Sequence, residues 1–365
     1  MRAVVLTEVG RAPESVEVDL APPGPGEVLV DIAAAGVCHS DLHVLKGDWE
    51  LPLPLVMGHE GSGVVAQVGT GVEHLAPGDH VVLSWYAPCG HCAMCALGRE
   101  TQCLTNGRVV AGGGVLFDGT SRLSTSGRPV YHYLGVSSFA EQAVVPASGA
   151  IKIRDDAPLD LAALVGCAVA TGVGAVTHAA KVEPHRTVVV IGTGGVGLSV
   201  VQGARLAEAS RIVAVDMVAS KLVTAQQLGA TDVVDASVCD PVAAVRELLP
   251  DGADYAFDAI GHTTTTEQAI SMLGPGGAAV VVGLPAQGER ASFEPLALAE
   301  ADQRIIGTNY GSIRPSVDIP RLVDWAVDGR LDLEAMVSAR RPLSEAAEAL
   351  VDLAEGRALR QLLVP

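Results

Sequence analysis

The chain has 365 residues, 49% of them hydrophobic, more than a single hydrophobic core usually organises, so two domains are expected. Lys and Arg number 24 against 42 Asp and Glu, a net charge of −18 with no basic run to offset it, which disfavours nucleic acid and anionic membrane as partners. No stretch approaches the ~20 apolar residues of a bilayer span, and the opening MRAVVLTEVGRAPE lacks the basic region and apolar run of a signal peptide, so a cytoplasmic protein is expected.

Through about residue 150 the chain is rich in Gly and Pro. Short β-type runs, such as Glu27–Ile32 and Gly63–Val68, lie between turn signals, which predicts an irregular, mainly β domain. Two clusters of polar residues interrupt it, Gly36-Val37-Cys38-His39-Ser40-Asp41-Leu42-His43 and Gly58-His59-Glu60; alone, each Cys or His there would be an ordinary core residue. Next comes Cys89-Gly90-His91-Cys92-Ala93-Met94-Cys95 with Cys103, a C-x₂-C-x₂-C-x₇-C pattern. Clustered cysteines in a long cytoplasmic chain favour metal over disulfides, and four thiolates can close a tetrahedral zinc site with no open position, hence a structural one. Redox pairing or an iron–sulfur cluster is the alternative these residues leave open. His91 reads as a bystander.

From about residue 160, a stretch that includes Gly166-Cys167, the texture becomes an alternation of short apolar runs and helical patterns, which predicts βαβ units on a parallel sheet. Strands are expected at Thr187–Ile191, Arg211–Asp216, 232–235, 254–258, 278–283 and Arg304–Gly307, enough for a doubly wound dinucleotide fold. The first runs into Gly192, Thr193, Gly194, Gly195, Val196 and Gly197. This G-x-G-x-x-G has its required context: Gly192 permits a tight turn, Gly194 a close approach of backbone to pyrophosphate, and Gly197 helix–strand contact, while the helix N-terminus offers unpaired N–H groups. Asp216 ends the next strand; a carboxylate there accepts from ribose hydroxyls and repels a 2′-phosphate, which argues for NAD over NADP. Lys221 stands where it can reach the ribose. Cys239 is expected to be a buried small apolar residue. Amphipathic helices are expected near 320–328 and 343–355, and a final apolar Leu362-Leu363-Val364 is expected to fold back on the first domain.

Taken in order, GVCHSD, GHEGSGVVAQVG, the four-cysteine loop, GCAVATG and GTGGVG resemble the zinc-dependent medium-chain alcohol dehydrogenases from Met1 to the Arg360 region. The resemblance implies an α/β architecture, a Rossmann doubly wound parallel-sheet domain at 169–308 and a GroES-like, mainly β catalytic domain at 1–168 and 309–365. It implies NAD and one catalytic and one structural zinc per chain. Cys38, His59 and Cys167 become catalytic zinc ligands, a Cys₂His set taken from the family and not from spacing. The metal would act as a Lewis acid on an alcohol oxygen, with hydride passing from the alcohol carbon to nicotinamide.

Other roles follow from the same resemblance. Glu60 matches a glutamate near the metal, and Asp41 a carboxylate that orients a ligand. Ser40 and His43 match a proton relay that runs through a hydroxyl, the ribose hydroxyls and an imidazole. His39 falls near the pyrophosphate, Arg360 matches a phosphate-contacting arginine, and Thr171, Val196 and Val282 match residues at the nicotinamide. Trp49 and Trp85 fall at the substrate pocket. Homodimers or homotetramers are expected. A non-catalytic relative would lack ligands, whereas all seven zinc ligands are present.

The substrate is the least determined feature. Arg108, ten residues before Asp118-Gly119-Thr120-Ser121-Arg122, resembles a carboxylate-binding arginine of the glutathione-dependent formaldehyde dehydrogenase branch. Against that, the stretch from Cys103 to Arg108 is one residue longer than in that branch, and Gly47-Asp48-Trp49-Glu50-Leu51-Pro52 departs from its acidic loop. The expected substrate is a medium-chain or aromatic primary alcohol or its aldehyde, or a secondary alcohol, with thiol-dependent (glutathione or mycothiol) formaldehyde oxidation as the alternative.

Overall fold

A computed structural model describes residues 1–365. The chain divides into two compact units, Met1–Cys167 with Arg314–Pro365, and Ala168–Ile313. No single helix is long and apolar enough to cross a membrane.

The first unit is built on two sheets. Its central strand β1 (Glu27–Val37) is buried at nearly every position on both faces, which explains the run Val28-Leu29-Val30 followed by small residues. Antiparallel neighbours flank it: β2 (Gly61–Val68), Gln142–Pro146 and the carboxyl-terminal strand Arg360–Val364. The apolar Leu362 and Leu363 thus enter this sheet, paired with Gly36 and Ala35. Shifts of register in β1 bend it where it approaches the site. A second, six-stranded sheet contains Arg2–Leu6 and Arg128–His132.

In the second unit, six parallel strands adopt the order 3-2-1-4-5-6, counting from Thr187–Ile191, the arrangement of a complete dinucleotide fold. Its first strand, β3 (Thr187–Ile191), carries Val188-Val189-Val190-Ile191, all buried, as a strand covered on both faces requires. Helix α2 (Gly195–Leu206) follows and β4 (Arg211–Asp216) lies beside β3.

Three expectations need correction. The fifth strand of this sheet spans Leu273–Val281, not 278–283: Gly274-Pro275-Gly276-Gly277 reads as a turn, but a bulge between Ala253 and Tyr255 on its neighbour absorbs it. The helix expected from Pro320 begins at Pro315, whose missing N–H costs nothing in the first turn, and Pro320 lies inside it. Cys239 is exposed, with its Sγ 3.2 Å from the carbonyl of Asp235, because it sits in the polar turn ahead of the Asp240 helix cap.

Candidate active site

β1 delivers Cys38 to the start of helix α1 (His39–Lys46), with extended backbone at φ −127°. The Cys38 N–H donates to Asp41 Oδ2 at 2.9 Å, and the other oxygen of the same buried carboxylate lies 3.1 Å from His59 Nδ1. One side chain therefore caps the helix and fixes the imidazole. His59 follows Gly58, where φ is +87° and a Cβ would run into Phe139 and Ser138, so only glycine lets the chain turn there. Cys167 closes the set. The ligand atoms of Cys38, His59 and Cys167 all lie within 4.8 Å of one another, and all three residues are buried.

The electrostatics fit a cation. His59 Nε2 is buried and has no hydrogen-bond partner, an expensive state for an imidazole nitrogen unless a metal takes its lone pair. The Cys38 thiol is pulled well below its ordinary range by neighbouring Cys167 and by His59, against the opposing effect of burial. Burial pushes His59 down, yet the Asp41 carboxylate and the Cys38 thiolate carry it up to about 10. Two thiolates and an imidazole held this way can bind zinc and leave one coordination position open.

Around this cluster stand residues from several segments. Glu60 pairs with Arg360, both essentially fully buried, and the space for the pair exists because Gly36 has no side chain. Arg360 Nε finds no hydrogen-bond partner, so the guanidinium keeps donor capacity. Ser40 Oγ lies 3.8 Å from Cys38 Sγ. His43, one turn further along α1, has Nδ1 2.8 Å from Asp48 Oδ2 and stacks on Trp49 with ring centroids 4.6 Å apart. His39 is exposed. Sequence reasoning passed over Tyr133, whose hydroxyl donates to the Ser40 carbonyl at 2.9 Å and whose ring meets His59 edge-on; an aromatic in the bend just past a strand carries no signal of such a contact.

The four-cysteine loop brings its thiols within 4.8 Å of one another, with Cys92 Sγ 3.6 Å from Cys95 Sγ and 3.9 Å from Cys103 Sγ. The N–H groups of Cys89 and Asn106 point at Cys103 Sγ, at 3.3 and 3.4 Å, as around a thiolate. Backbone donation from Cys95 and the other thiols lowers Cys92 to about 6, while burial against those neighbours raises Cys95 to about 12. Four sulfurs in mutual contact, outside any disulfide, fit a closed tetrahedral zinc site. His91 is exposed and turned to the Cys89 carbonyl.

In the second unit, Gly192 takes φ +88°, Gly194 caps α2, and a side chain at Gly197 would strike the Gly192 carbonyl. Asp216 stands at the end of β4, where its Oδ2 accepts from Thr193 N and Oγ1 at 2.7 and 2.9 Å. The carboxylate thus fastens the glycine turn, while its other oxygen accepts from Val218 N at 3.0 Å. Lys221 is half-buried in the following helix, Thr171 is buried in Ala168–Gly174, Val196 is half-buried, and Val282 is buried just past its strand.

Arg108 is exposed on the wide helical turn Asn106–Ala111. Arg122 is committed elsewhere: its guanidinium spans both oxygens of Glu27 at 2.8 Å and one of Asp118 at 2.6 Å. The Asp118–Arg122 run therefore works as a structural clasp. Trp85 is half-buried beside Tyr86, with ring centroids 4.7 Å apart.

Residues 24–155 match the family described as Alcohol dehydrogenase GroES-like domain, and residues 195–328 that described as Zinc-binding dehydrogenase. An S-(hydroxymethyl)glutathione dehydrogenase of Synechocystis sp. is 39% identical, with 99% of each chain covered. Among solved structures, an alcohol dehydrogenase zinc-binding domain protein from Burkholderia ambifaria superposes with a TM-score of 0.95 at 38% identity, covering 100% of this chain and 98% of that one. A benzyl alcohol dehydrogenase from Acinetobacter calcoaceticus gives 0.94 at 35% identity, with the same coverage.

Proposed function

The chain belongs to the zinc-dependent medium-chain alcohol dehydrogenases, and from that premise we propose that Cys38, His59 and Cys167 hold the catalytic zinc and Cys89, Cys92, Cys95 and Cys103 the structural one. The observation that carries the reading is the buried Cys38–His59–Cys167 cluster with its unpartnered His59 nitrogen. Zinc and NAD, when bound, supply Lewis-acid activation of the alcohol oxygen and a hydride acceptor. The protein's own groups do the rest. Asp41 holds the His59 ring in place, and the Glu60–Arg360 pair sets a compensated charge behind the cluster. The Ser40 hydroxyl takes the proton lost by the substrate, and His43, three residues on and on the same face of α1, is the base at the far end of the path. On the nucleotide side, Gly192, Gly194, Gly195, Val196 and Gly197 cradle the pyrophosphate, Asp216 and Lys221 take the ribose, and Thr171, Val282, His39 and Arg360 complete the cofactor contacts.

For substrate we favour medium-chain or aromatic primary alcohols and their aldehydes. Trp49 and Trp85 supply apolar surface, Arg122 is already paired, and a benzyl alcohol dehydrogenase shares the fold throughout. The second reading, oxidation of a formaldehyde–thiol adduct, is supported by the Synechocystis relative's name and by an exposed Arg108. NADH formation distinguishes them, using benzyl alcohol, octanol, and formaldehyde with and without glutathione or mycothiol. Thiol-dependent turnover combined with negligible benzyl alcohol oxidation would overturn the first reading, and its loss in Arg108→Ala would locate the carboxylate site.

A further inference from the structure

We propose that Asp48 is a positioning residue for His43: it fixes the tautomer of that imidazole and so makes it competent as the terminal base of the proton path, with Trp49 holding the ring plane. The proposal rests on the relay reading given above.

The arrangement is a product of how α1 ends. Gly47 takes the left-handed conformation, φ +80°, and its N–H returns to the carbonyls of His43 and Val44. A Cβ there would also crowd the Val9 side chain, so glycine is favoured at this position on two counts. The next N–H, from Asp48, then donates to the His43 carbonyl at 2.9 Å. That bond folds the chain back over the last turn of the helix and sets the Asp48 carboxylate 2.8 Å from His43 Nδ1. The following residue, Trp49, lies on the imidazole at an interplanar angle of 21°.

A carboxylate can only accept, so the proton between the two groups sits on Nδ1. In the neutral ring Nε2 is consequently the lone-pair nitrogen, the one able to receive a proton. When it does, the imidazolium forms beside a carboxylate that stabilises it. The same logic governs hydrolytic triads, in which a buried aspartate orients a histidine and selects its tautomer without itself taking the proton. Both partners here are only about a quarter to a third exposed, which holds the geometry while leaving a way out for the proton.

The test uses the zinc-loaded enzyme with NAD and benzyl alcohol, reading the pre-steady-state burst of NADH, KM, and the solvent deuterium isotope effect on the burst. Asp48→Asn keeps the shape but offers Nδ1 an amide, so the wrong tautomer becomes available. We expect the burst rate to fall at least tenfold and its isotope effect to rise, with KM for the alcohol and bound zinc changed less than about threefold. His43→Ala is measured alongside, together with the double variant. If the proposal holds, the double variant is no slower than His43→Ala alone, because Asp48 acts only through that ring. A slow His43→Ala beside a normal Asp48→Asn overturns the role of Asp48 and leaves the relay standing. A normal His43→Ala removes the relay and this proposal with it. Equal losses in burst rate and alcohol affinity for Asp48→Asn would reduce Asp48 to a structural cap.

Discussion

Asp41 shows how much one buried side chain decides: it closes the helix that presents Cys38 and Ser40, and it orients His59 from 18 residues away. Because those tasks are separate from that of the Ser40 hydroxyl, Ser40→Ala is expected to lower the hydride-transfer rate by ~10²–10⁴ while zinc content and NAD affinity persist. Transient kinetics with parallel metal analysis checks this, and an unchanged rate would mean the proton leaves by another route. The buried Glu60–Arg360 pair makes a different prediction. Removing one charge strands the other, so Arg360→Leu should destabilise the protein by about 3–5 kcal/mol, and adding Glu60→Gln should restore part of it. Urea unfolding at fixed zinc reads both; a loss below about 1 kcal/mol would show that the pair contributes little to the fold.

Among the elements, those whose pattern is local were legible in the sequence. Strands Thr187–Ile191, Arg211–Asp216 and Arg304–Gly307 fall at the expected residues because each is a bounded run with βαβ rhythm on both sides. Contacts made at a distance were not. Nothing in the spelling of Asp118–Arg122 tells that its arginine reaches Glu27, and nothing around Gly47 announces that helix termination will seat Asp48 on His43. The link from Asp216 to Thr193 was hidden in the same way, and it changes an expectation. Asp216→Gly should relax the preference for NAD over NADP, but it should also weaken NAD itself, since the turn loses the two hydrogen bonds that Thr193 donates to this carboxylate. Binding titrations with both nucleotides decide, and a parent enzyme that prefers NADP would refute the reading of Asp216. The four-cysteine loop offers little apolar burial of its own, with most of residues 91–99 at least partly exposed. Its order must then come largely from metal, so Cys89→Ser should leave one zinc per chain instead of two and lower the melting temperature. An unchanged melt with two zinc ions bound would reject a structural site there.

Over the whole chain, the two units differ in how their sequence is laid out, and this has a consequence for folding. Residues 168–313 are continuous and contain a complete six-stranded sheet, its core around Val189, Val213 and Ala256, and the entire glycine turn. The other unit is interrupted. The seven residues proposed as zinc ligands all lie before residue 168, yet β1 is completed by Arg360–Val364, and the partner of buried Glu60 is Arg360. A fragment of residues 168–313 is therefore expected to unfold cooperatively and to bind NAD or ADP-ribose on its own. A fragment ending at Cys167 should not fold, since β1 would present an unpaired edge and Glu60 an uncompensated charge, even though every zinc ligand is present. Joining it to residues 314–365 through a Gly-Ser linker should restore a cooperative melt and two bound zinc ions. Circular dichroism melts and metal analysis of the three fragments give the answer: a zinc-replete, cooperatively folded fragment of residues 1–167 would show that the ligands, and not the returning carboxyl-terminal strand, organise this unit.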